Sequence, residues 1–548
     1  MAATANASSS SDANCSLDLV SQGLLPPLPE AFLRQRDLDL LDPLEFLTPG
    51  TLPRRRRAEV DRQGLADGLA EANASYGHPL AAEMAAKLAD PETEVVVTGQ
   101  QPGLFGGPLY TLSKAVAAAR WASALEAAGR PAVAVFWVAT EDHDFRESSW
   151  AAFQTREGLR RFDLGEDPQP LMPIGMRSLG EPVDEVLGSL REAIPGERFD
   201  EWCGVLGQWY KPTARFGEAF ARLLVHLLGQ RSPLMLDSML PAAKQAQRPW
   251  LTRAVERRVE VETALASASS AVVERGYPLQ VKPQPGTSPL FFLQGGERRR
   301  IVWNDSDVWS LRGHEERVRP VSELLEAASE NPSVIMPGVL VRPVIQDAIL
   351  GSTLQVMGPG EMSYLPQLAK LYDTLEVAAP ATALRPQALV MPANQSKKLE
   401  GAEVELRDLV GKDFDLESAA AGGRTEELLA GADRALDELL SELETVARPV
   451  ANELGRALEK TTDQMRRGLE QFSGRLTAAL ARADGVRRGR LEALRDWVRP
   501  DGGLQERALS TADLPGRYGS GLVDALFDQI ELDGGRLTVV GIQGEKQE

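Results

Sequence analysis

The chain has 548 residues, 79 acidic against 60 basic, and a formal net charge of −19. At about 150 residues per domain this is material for roughly two to four domains with a sizeable core, and the acidic balance excludes general nucleic-acid binding while fitting an enzyme of small molecules. Two cysteines, Cys15 and Cys203, build neither a disulfide framework nor a zinc ligand set.

Residues 1–15 are small and polar and read as a disordered leader. Residues 16–90 combine a Pro-rich entry with helical patterns, and the run Arg54, Arg55, Arg56, Arg57 reads as a solvated charged turn. Glu94–Thr98 is a short β-branched run of the kind found in fully buried strands. The loop GQQPGLFGGP follows, with Pro108 suited to a helix N1 position. LYTLSKAVAAARWASALEAAG predicts one amphipathic helix stopped by Gly129, and AVAVFWVAT a second buried strand that ends in EDHDF. Strand, helix and strand in about 45 residues form a parallel βαβ unit. Cys203, in an apolar helical stretch, reads as a small buried hydrophobe. SPLMLDSM (232–239), and VLVRPVIQD (339–347) with LQVMGPGE (354–361), read as further strands. The fold class is therefore α/β, an open parallel sheet over 16–400 with insertions at about 150–230 and 240–330.

Beyond residue 400 the texture becomes rich in Ala, Leu, Glu and Arg. Apolar residues recur at Leu436, Leu440, Leu443, Ala447, Val450, Leu454 and Leu458, then at Met465, Leu469, Phe472, Leu476, Leu480 and Ala483, the seam of a coiled coil. Pro449 should break it into a shorter and a longer helix. The expected arm spans 401–500, serving as an intramolecular hairpin or a dimer interface, and 501–548 is expected to pack back on the core. No run of about 18 apolar residues and no signal peptide is present, so the expected location is the cytoplasm, with no membrane partner.

Ligands of open α/β sheets bind at the carboxyl ends of the strands. The first strand brings Gly99, Gln100 and Gln101 there, and the second brings Glu141, Asp142, His143 and Asp144. Gly103, Gly106 and Gly107 would let backbone N–H groups approach an anion, with Lys114 adding a charge and Thr111 and Ser113 hydroxyls. The loop matches neither G-x-G-x-x-G nor the P-loop. His143 reads as a general base, a substrate ligand or a structural histidine, and Asp144 as a helix N-cap. A metal held by the EDHD cluster is the minority reading, since adjacent residues rarely converge on one ion. GPGE, with Gly358, Gly360 and Glu361, and then Tyr364, is either a turn before a helix or a third strand end at the site. Lys397, beside Lys398, is either solvated or a phosphate contact.

TGQQPGLFGGPLYTLSK followed by FWVATEDHDF closely resembles the bacillithiol biosynthesis cysteine-adding enzyme family. RFGEAFARLL, LMLDSM with Asp237, VLVRPVIQDAIL, GPGEMSYLPQL and GGLQER extend the resemblance over nearly the whole chain. It implies a Rossmann-like core, a coiled-coil arm supporting a homodimer, and a ligase that joins L-cysteine to the amine of glucosaminyl malate. The family's distant similarity to class I aminoacyl-tRNA synthetases implies an adenylated cysteine, so ATP with Mg is the expected cosubstrate; separately, no tightly bound metal is expected. Against this, no HIGH or KMSKS motif occurs, SKK at 396–398 is a weak echo, and Thr140 and Ser113 depart from the expected pattern. In such a ligase, His143 with Asp142 or Glu141 would deprotonate the amine, Lys114 and the loop would hold the anion, and Arg342 and Arg385 would meet the malate carboxylates. The competing readings are a metal- or nucleotide-dependent transferase or hydrolase using the EDHD cluster, and a non-catalytic coiled-coil scaffold.

Overall fold

The computed structural model describes residues 16–542 except 58, 285, 306, 422–423, 448–450 and 484. The leader with Cys15, and Pro449, lie outside the described residues. The chain forms two compact units, 1–391 with 505–548 and 392–504.

The first unit is built on a six-stranded parallel sheet: β1 (Glu45–Phe46), β2 (Glu94–Gln100), β3 (Ala132–Val138), β4 (Leu234–Asp237), β5 (Ser352–Met357) and β6 (Ala381–Leu384), in the spatial order β1-β6-β5-β2-β3-β4. This is the Rossmann-like sheet the sequence predicts. β2 and β3 pair from Glu94↔Ala132 to Gln100↔Val138. β3 is apolar at every position and β2 at Val95, Val96 and Val97, because both faces are covered there. Successive side chains of a strand point to opposite faces. Val95 and Val97 accordingly enter one core cluster with Leu65, Leu69 and Leu88, whereas Val96 enters another with Ala118, Trp121 and Leu125. Those last three lie on helix α1 (Tyr110–Ala127), the βαβ crossover, which ends as Gly129 takes a φ of +74°.

Chain order runs from β2 outward through β3 to β4, then returns to the other side of β2 with β5 and β6. The crevice between β2 and β5 is thus the topological switch point, where ligands of such sheets bind.

Two insertions enlarge the unit. Between β3 and β4 come an antiparallel hairpin (Trp150–Thr155 with Gly158–Asp163) and the helices Pro182–Ala193, Glu197–Trp209 and Phe216–Leu228. Their aromatic core includes Phe153, Phe199 and Tyr210, with Cys203 fully buried among them. Between β4 and β5 come helix α2 (Pro241–Glu256), the helix Arg258–Glu274 and a five-stranded antiparallel sheet containing the hairpin Thr287–Gln294 with Glu297–Asp305.

The stretch VLVRPVIQD corrects the sequence reading. It is not a strand: Arg342–Leu350 forms helix α3. Pro343 fixes φ in the first turn, Gly351 ends the helix in the left-handed region, and Val341, Val344, Ile345, Ala348 and Ile349 recur at helical spacing. The strand is β5, one residue after that glycine. It leads into helix α4 (Pro359–Leu368). Pro108 also departs from the N1 reading: it bridges to Ser510, and α1 begins at Tyr110.

In the second unit, α5 (Arg424–Ala447) and α6 (Ala451–Ala483) are the long arm helices, linked by an Arg466–Asp437 ion pair of 2.6 Å, and α7 (Gly485–Val498) follows. Along the seam Leu440 is buried, while Leu443, Met465, Phe472 and Leu480 are exposed. No helix among the described residues is long and apolar enough to cross a membrane.

Candidate active site

Four neighbouring strands deliver their carboxyl ends to one cavity of about 360 Å³. Gly99, Gln100 and Gln101 come from β2, Glu141 and Asp142 from β3, Gly358, Gly360, Glu361 and Tyr364 from β5 and the α4 that follows, and Arg385 from β6. Arg342 enters from the first turn of α3, and Lys114 from the first turns of α1. Of the sequence-predicted groups at these strand ends, Gly99, Gln100, Gln101, Glu141, Asp142, Gly358, Gly360, Glu361 and Tyr364 line one cavity, and His143 and Asp144 do not.

Their chemistry differs from the expected one in several places. Lys114 is 3% exposed, and its ammonium donates to Gly99 O at 2.7 Å, Gln100 Oε1 at 3.0 Å and Glu361 Oε2 at 2.5 Å. All three donors are used, so Lys114 ties the β2 and β5 sides of the crevice together rather than offering a free charge. Burial lowers the Lys114 ammonium below its ordinary value, against the pull of Glu361. Burial acts to raise the Glu361 carboxyl, but Lys114 and Arg342 outweigh it and hold it below the usual range. Glu361 also accepts from Gly358 N at 2.8 Å, so the turn and the site readings of GPGE describe one residue.

The EDHD side chains diverge to separate partners. Glu141 is buried in an ion pair with Lys244 of α2, which removes it as a base partner for His143. Asp142 accepts from Gln101 Nε2 at 2.6 Å and from His143 N at 2.7 Å. Burial alone would raise its carboxyl; hydrogen bonding from His143, whose backbone N–H it accepts, and the Arg298 guanidinium overcome that and draw it down to about 2. His143 does not line the cavity; its Nδ1 lies 3.0 Å from Arg298 Nη1 and 3.4 Å from Asp142 Oδ1. Asp144 caps the short helix Phe145–Ser148 by accepting from Glu147 N. Among the described residues no three His, Cys, Asp or Glu side chains converge to hold an ion.

The second half of the glycine loop turns away from the cavity. Leu104 and Phe105 are fully buried in the aromatic core of the first insertion, and Phe105 adopts a φ of +49° to get there. The amides of Gly106 and Gly107 are spent inside the turn on Gly103 O and Leu104 O. Thr511 closes over the loop, its N donating to Gly107 O and its Oγ1 to Gly106 O and Pro108 O. A Cβ on Gly103 would stand 2.6 Å from Gly107 Cα, so these glycines serve close packing, not an anion cradle. Thr111 and Ser113 are buried away from the cavity, their hydroxyls unpartnered. Asp237 is tied to Thr140 Oγ1 and Met239 N, and burial raises its carboxyl. Lys397 lies exposed on the helix Ala393–Glu400 of the second unit.

Several cavity residues escaped the sequence reading. Arg298 comes from the inserted sheet, and Tyr110, Glu147, Gln280 and Arg507 complete the wall. Burial pushes Tyr110 and Tyr364 up to about 12; the Tyr110 hydroxyl accepts from Gln100 Nε2 at 3.3 Å and the Tyr364 hydroxyl from Arg342 Nη2 at 3.5 Å. Arg385 is fixed from behind by Glu506, with contacts of 2.9 and 2.6 Å. GGLQER carried Glu506 and Arg507 in its motif without showing what they face. In GGERRRIVW strand alternation could not show which arginine turns inward.

The model of the family described as bacillithiol biosynthesis BshC, N-terminal Rossmann-like domain, matches residues 49–386, and that of its C-terminal coiled-coil domain matches 388–542. The chain belongs to the BshC family. A relative from Salinibacter ruber, named "Putative cysteine ligase BshC", is 31% identical over 504 residues, covering 88% of this chain and 89% of its own. Relatives of the same name from Solibacter usitatus and Heliobacterium modesticaldum are 29% and 33% identical, covering 82% and 67% of this chain and 84% and 66% of theirs. The Rossmann-like match takes in every residue lining the cavity except Arg507, which falls in the coiled-coil match.

Proposed function

We propose that this cavity joins the carboxyl group of L-cysteine to the free amine of glucosaminyl malate, the last step of bacillithiol synthesis, in the cytoplasm. The observation that carries the reading is the convergence of Arg298, Arg342 and Arg507 with the carboxylates Asp142 and Glu147 on the switch-point cavity of a BshC chain. Cysteine, malate and nucleotide all bring anionic oxygens, and guanidinium groups suit carboxylate and phosphate alike. About 360 Å³ is within the range of small-molecule sites.

In this reading the activating cosubstrate is ATP with Mg, which would supply the leaving group that makes the cysteine carboxyl an acylating agent. The residues fit such an anion through arginines rather than through the glycine loop, whose Gly106 and Gly107 amides are already spent. Arg342 at the start of α3 would meet a malate carboxylate, and Arg385, held by Glu506, would hold its charge fixed behind Tyr110, over whose ring it stacks at 5.1 Å. The carbon–nitrogen bond forms as the bond from the acyl carbon to the activated oxygen breaks, and the amine releases a proton. Glu147 is the group we assign to receive it. Partial desolvation, with Asp144 and Asp142 nearby, raises its carboxyl above the ordinary value, which makes it a stronger proton acceptor.

The test is reconstitution from purified protein, L-cysteine, glucosaminyl malate and Mg–ATP, following bacillithiol by thiol-labelled mass spectrometry. Product that requires every component is the expected result. Product without ATP would overturn the activation step, and no product under any condition would overturn the ligase. A Glu147→Gln variant should lower turnover by about 10²–10⁴-fold if the proton assignment holds.

A further inference from the structure

We propose that Arg298 is an anion-binding residue of the cavity and that His143 is its positioning residue, a neutral imidazole that accepts from Arg298 Nη1 through Nδ1 rather than a base that takes a proton from substrate. This deepens the ligase reading and, for its kinetic part, rests on it.

The geometry starts from the inserted sheet. Arg298 is the second residue of the strand Glu297–Asp305, its side chain 6% exposed, and its guanidinium lies 3.6 Å over the Phe291 ring. Phe291 stands on the paired strand Thr287–Gln294, so a cross-strand neighbour fixes the plane of the group. Within that plane Nη2 donates to Pro337 O at 3.0 Å and Nη1 meets His143 Nδ1 at 3.0 Å. A guanidinium has no lone pair to offer and keeps its charge in any protein. The hydrogen on that contact therefore belongs to Arg298, Nδ1 is the acceptor, and the ring hydrogen sits on Nε2. The longer approach to Asp142 Oδ1, 3.4 Å, would require the opposite tautomer and would leave the guanidinium facing an N–H.

Two of the five N–H donors of Arg298 are committed by these contacts, and Nε has no partner. Asp142, with an oxygen 3.6 Å from Nη1, balances the charge without a close fork-to-fork pair. The residue lines the cavity, whereas His143 does not. A buried arginine held by a ring face, a carbonyl and an imidazole, with donors left over at a cavity wall, is arranged to receive an anionic oxygen. The candidates are a carboxylate and a phosphoryl oxygen.

The experiment has two arms. In the first, the full-length protein is labelled with ¹⁵N-histidine, and the ring nitrogens of His143 are identified by their loss in His143→Asn. The proposal requires the Nε2–H tautomer at neutral pH in wild type. An Nδ1–H ring or an imidazolium would overturn it, whether or not the protein turns over. In the second, ligation is compared in His143→Asn and His143→Gln, after their thermal unfolding is shown to match wild type. The Asn amide oxygen falls where Nδ1 was and still accepts from Arg298, whereas the Gln amide reaches toward Nε2. Neither amide takes up a proton. His143→Asn should retain activity within about threefold and His143→Gln should lose tenfold or more. Equal loss of about 10²–10⁴-fold in both would mean that His143 is a base after all. Arg298→Lys should raise one KM, for glucosaminyl malate if the anion is a carboxylate or for ATP if it is a phosphoryl oxygen; both unchanged would contradict the anion role. If wild type makes no product, the ligase reading fails and the tautomer measurement still decides this inference.

Discussion

Arg385 and Glu506 stand 121 residues apart in the chain yet meet fork to fork, both fully buried, and Glu506 also accepts from Ala388 N at 3.2 Å. Neutralising one member of such a pair leaves the other charge stranded, so Glu506→Gln should destabilise the protein by about 3–5 kcal/mol in urea unfolding. If it costs less than about 1 kcal/mol, the pair is not the clamp described. Asp142 also contributes stability, but less of it and only where its carboxyl is ionised. Its folded carboxyl sits at about 2 against an ordinary 3.8, so its contribution is complete above about 4 and disappears as pH falls through about 2. At 41% exposure solvent screens most of the effect, and Asp142→Asn should remove no more than about 1 kcal/mol of acid sensitivity in that window. Stability curves of the two proteins that stay parallel from pH 4 to 2 would count against it. At this scale the sequence exposed the residue types but not their partners. Nothing near Glu141 points to Lys244, and nothing in ERRR says that Arg298 faces inward, because those pairings are made by chain segments more than a hundred residues apart.

Among the elements, the GQQPGLFGGP loop divides into two jobs. Its first three residues are strand end and cavity wall; the rest is a packed joint that takes Phe105 into the inserted module and Thr511 onto its back. Gly106 has a φ of +87°, and a Cβ there would lie 2.8 Å from Thr511 Cβ. Gly129 has a φ of +74° with nothing within 4 Å of its would-be Cβ. Gly106→Ala should therefore cost about 1–3 kcal/mol more than Gly129→Ala, measured by denaturant midpoints, since both share the backbone strain and only one meets an atom. Equal costs would refute the packed joint. β2, α1 and β3 were legible because burial on both faces makes strands uniformly apolar and Gly129 punctuates the helix. α3 was not, because Val341, Val344 and Ile345 are as apolar and as buried as the residues of a buried strand; Pro343 and Gly351 were the signals that distinguish it. The glycines of the loop misled for a related reason: glycine permits close approach, and the sequence does not say whether a ligand or Thr511 does the approaching.

At the level of the whole molecule, a Rossmann-like unit carries the cavity and a coiled-coil unit carries an apolar seam that its own two helices leave partly uncovered. Phe472 is 63% exposed and Met465 41%. Exposed apolar residues at heptad-like spacing suit a second copy of the arm, so we expect a homodimer. Phe472→Glu with Met465→Glu should convert it to monomer in sedimentation velocity; a wild-type monomer, or an unchanged dimer in the variant, would remove the arm as the interface. The central claim remains the chemistry at the β2–β5 crevice. The measurement that tests it most directly is single-turnover bacillithiol formation from L-cysteine, glucosaminyl malate and Mg–ATP by wild type and by Arg342→Gln of matched thermal stability. The account predicts product from wild type and at least about a tenfold slower reaction in the variant, as loss of a charge-assisted contact implies. Wild-type speed in Arg342→Gln, or no product from either protein, would contradict it.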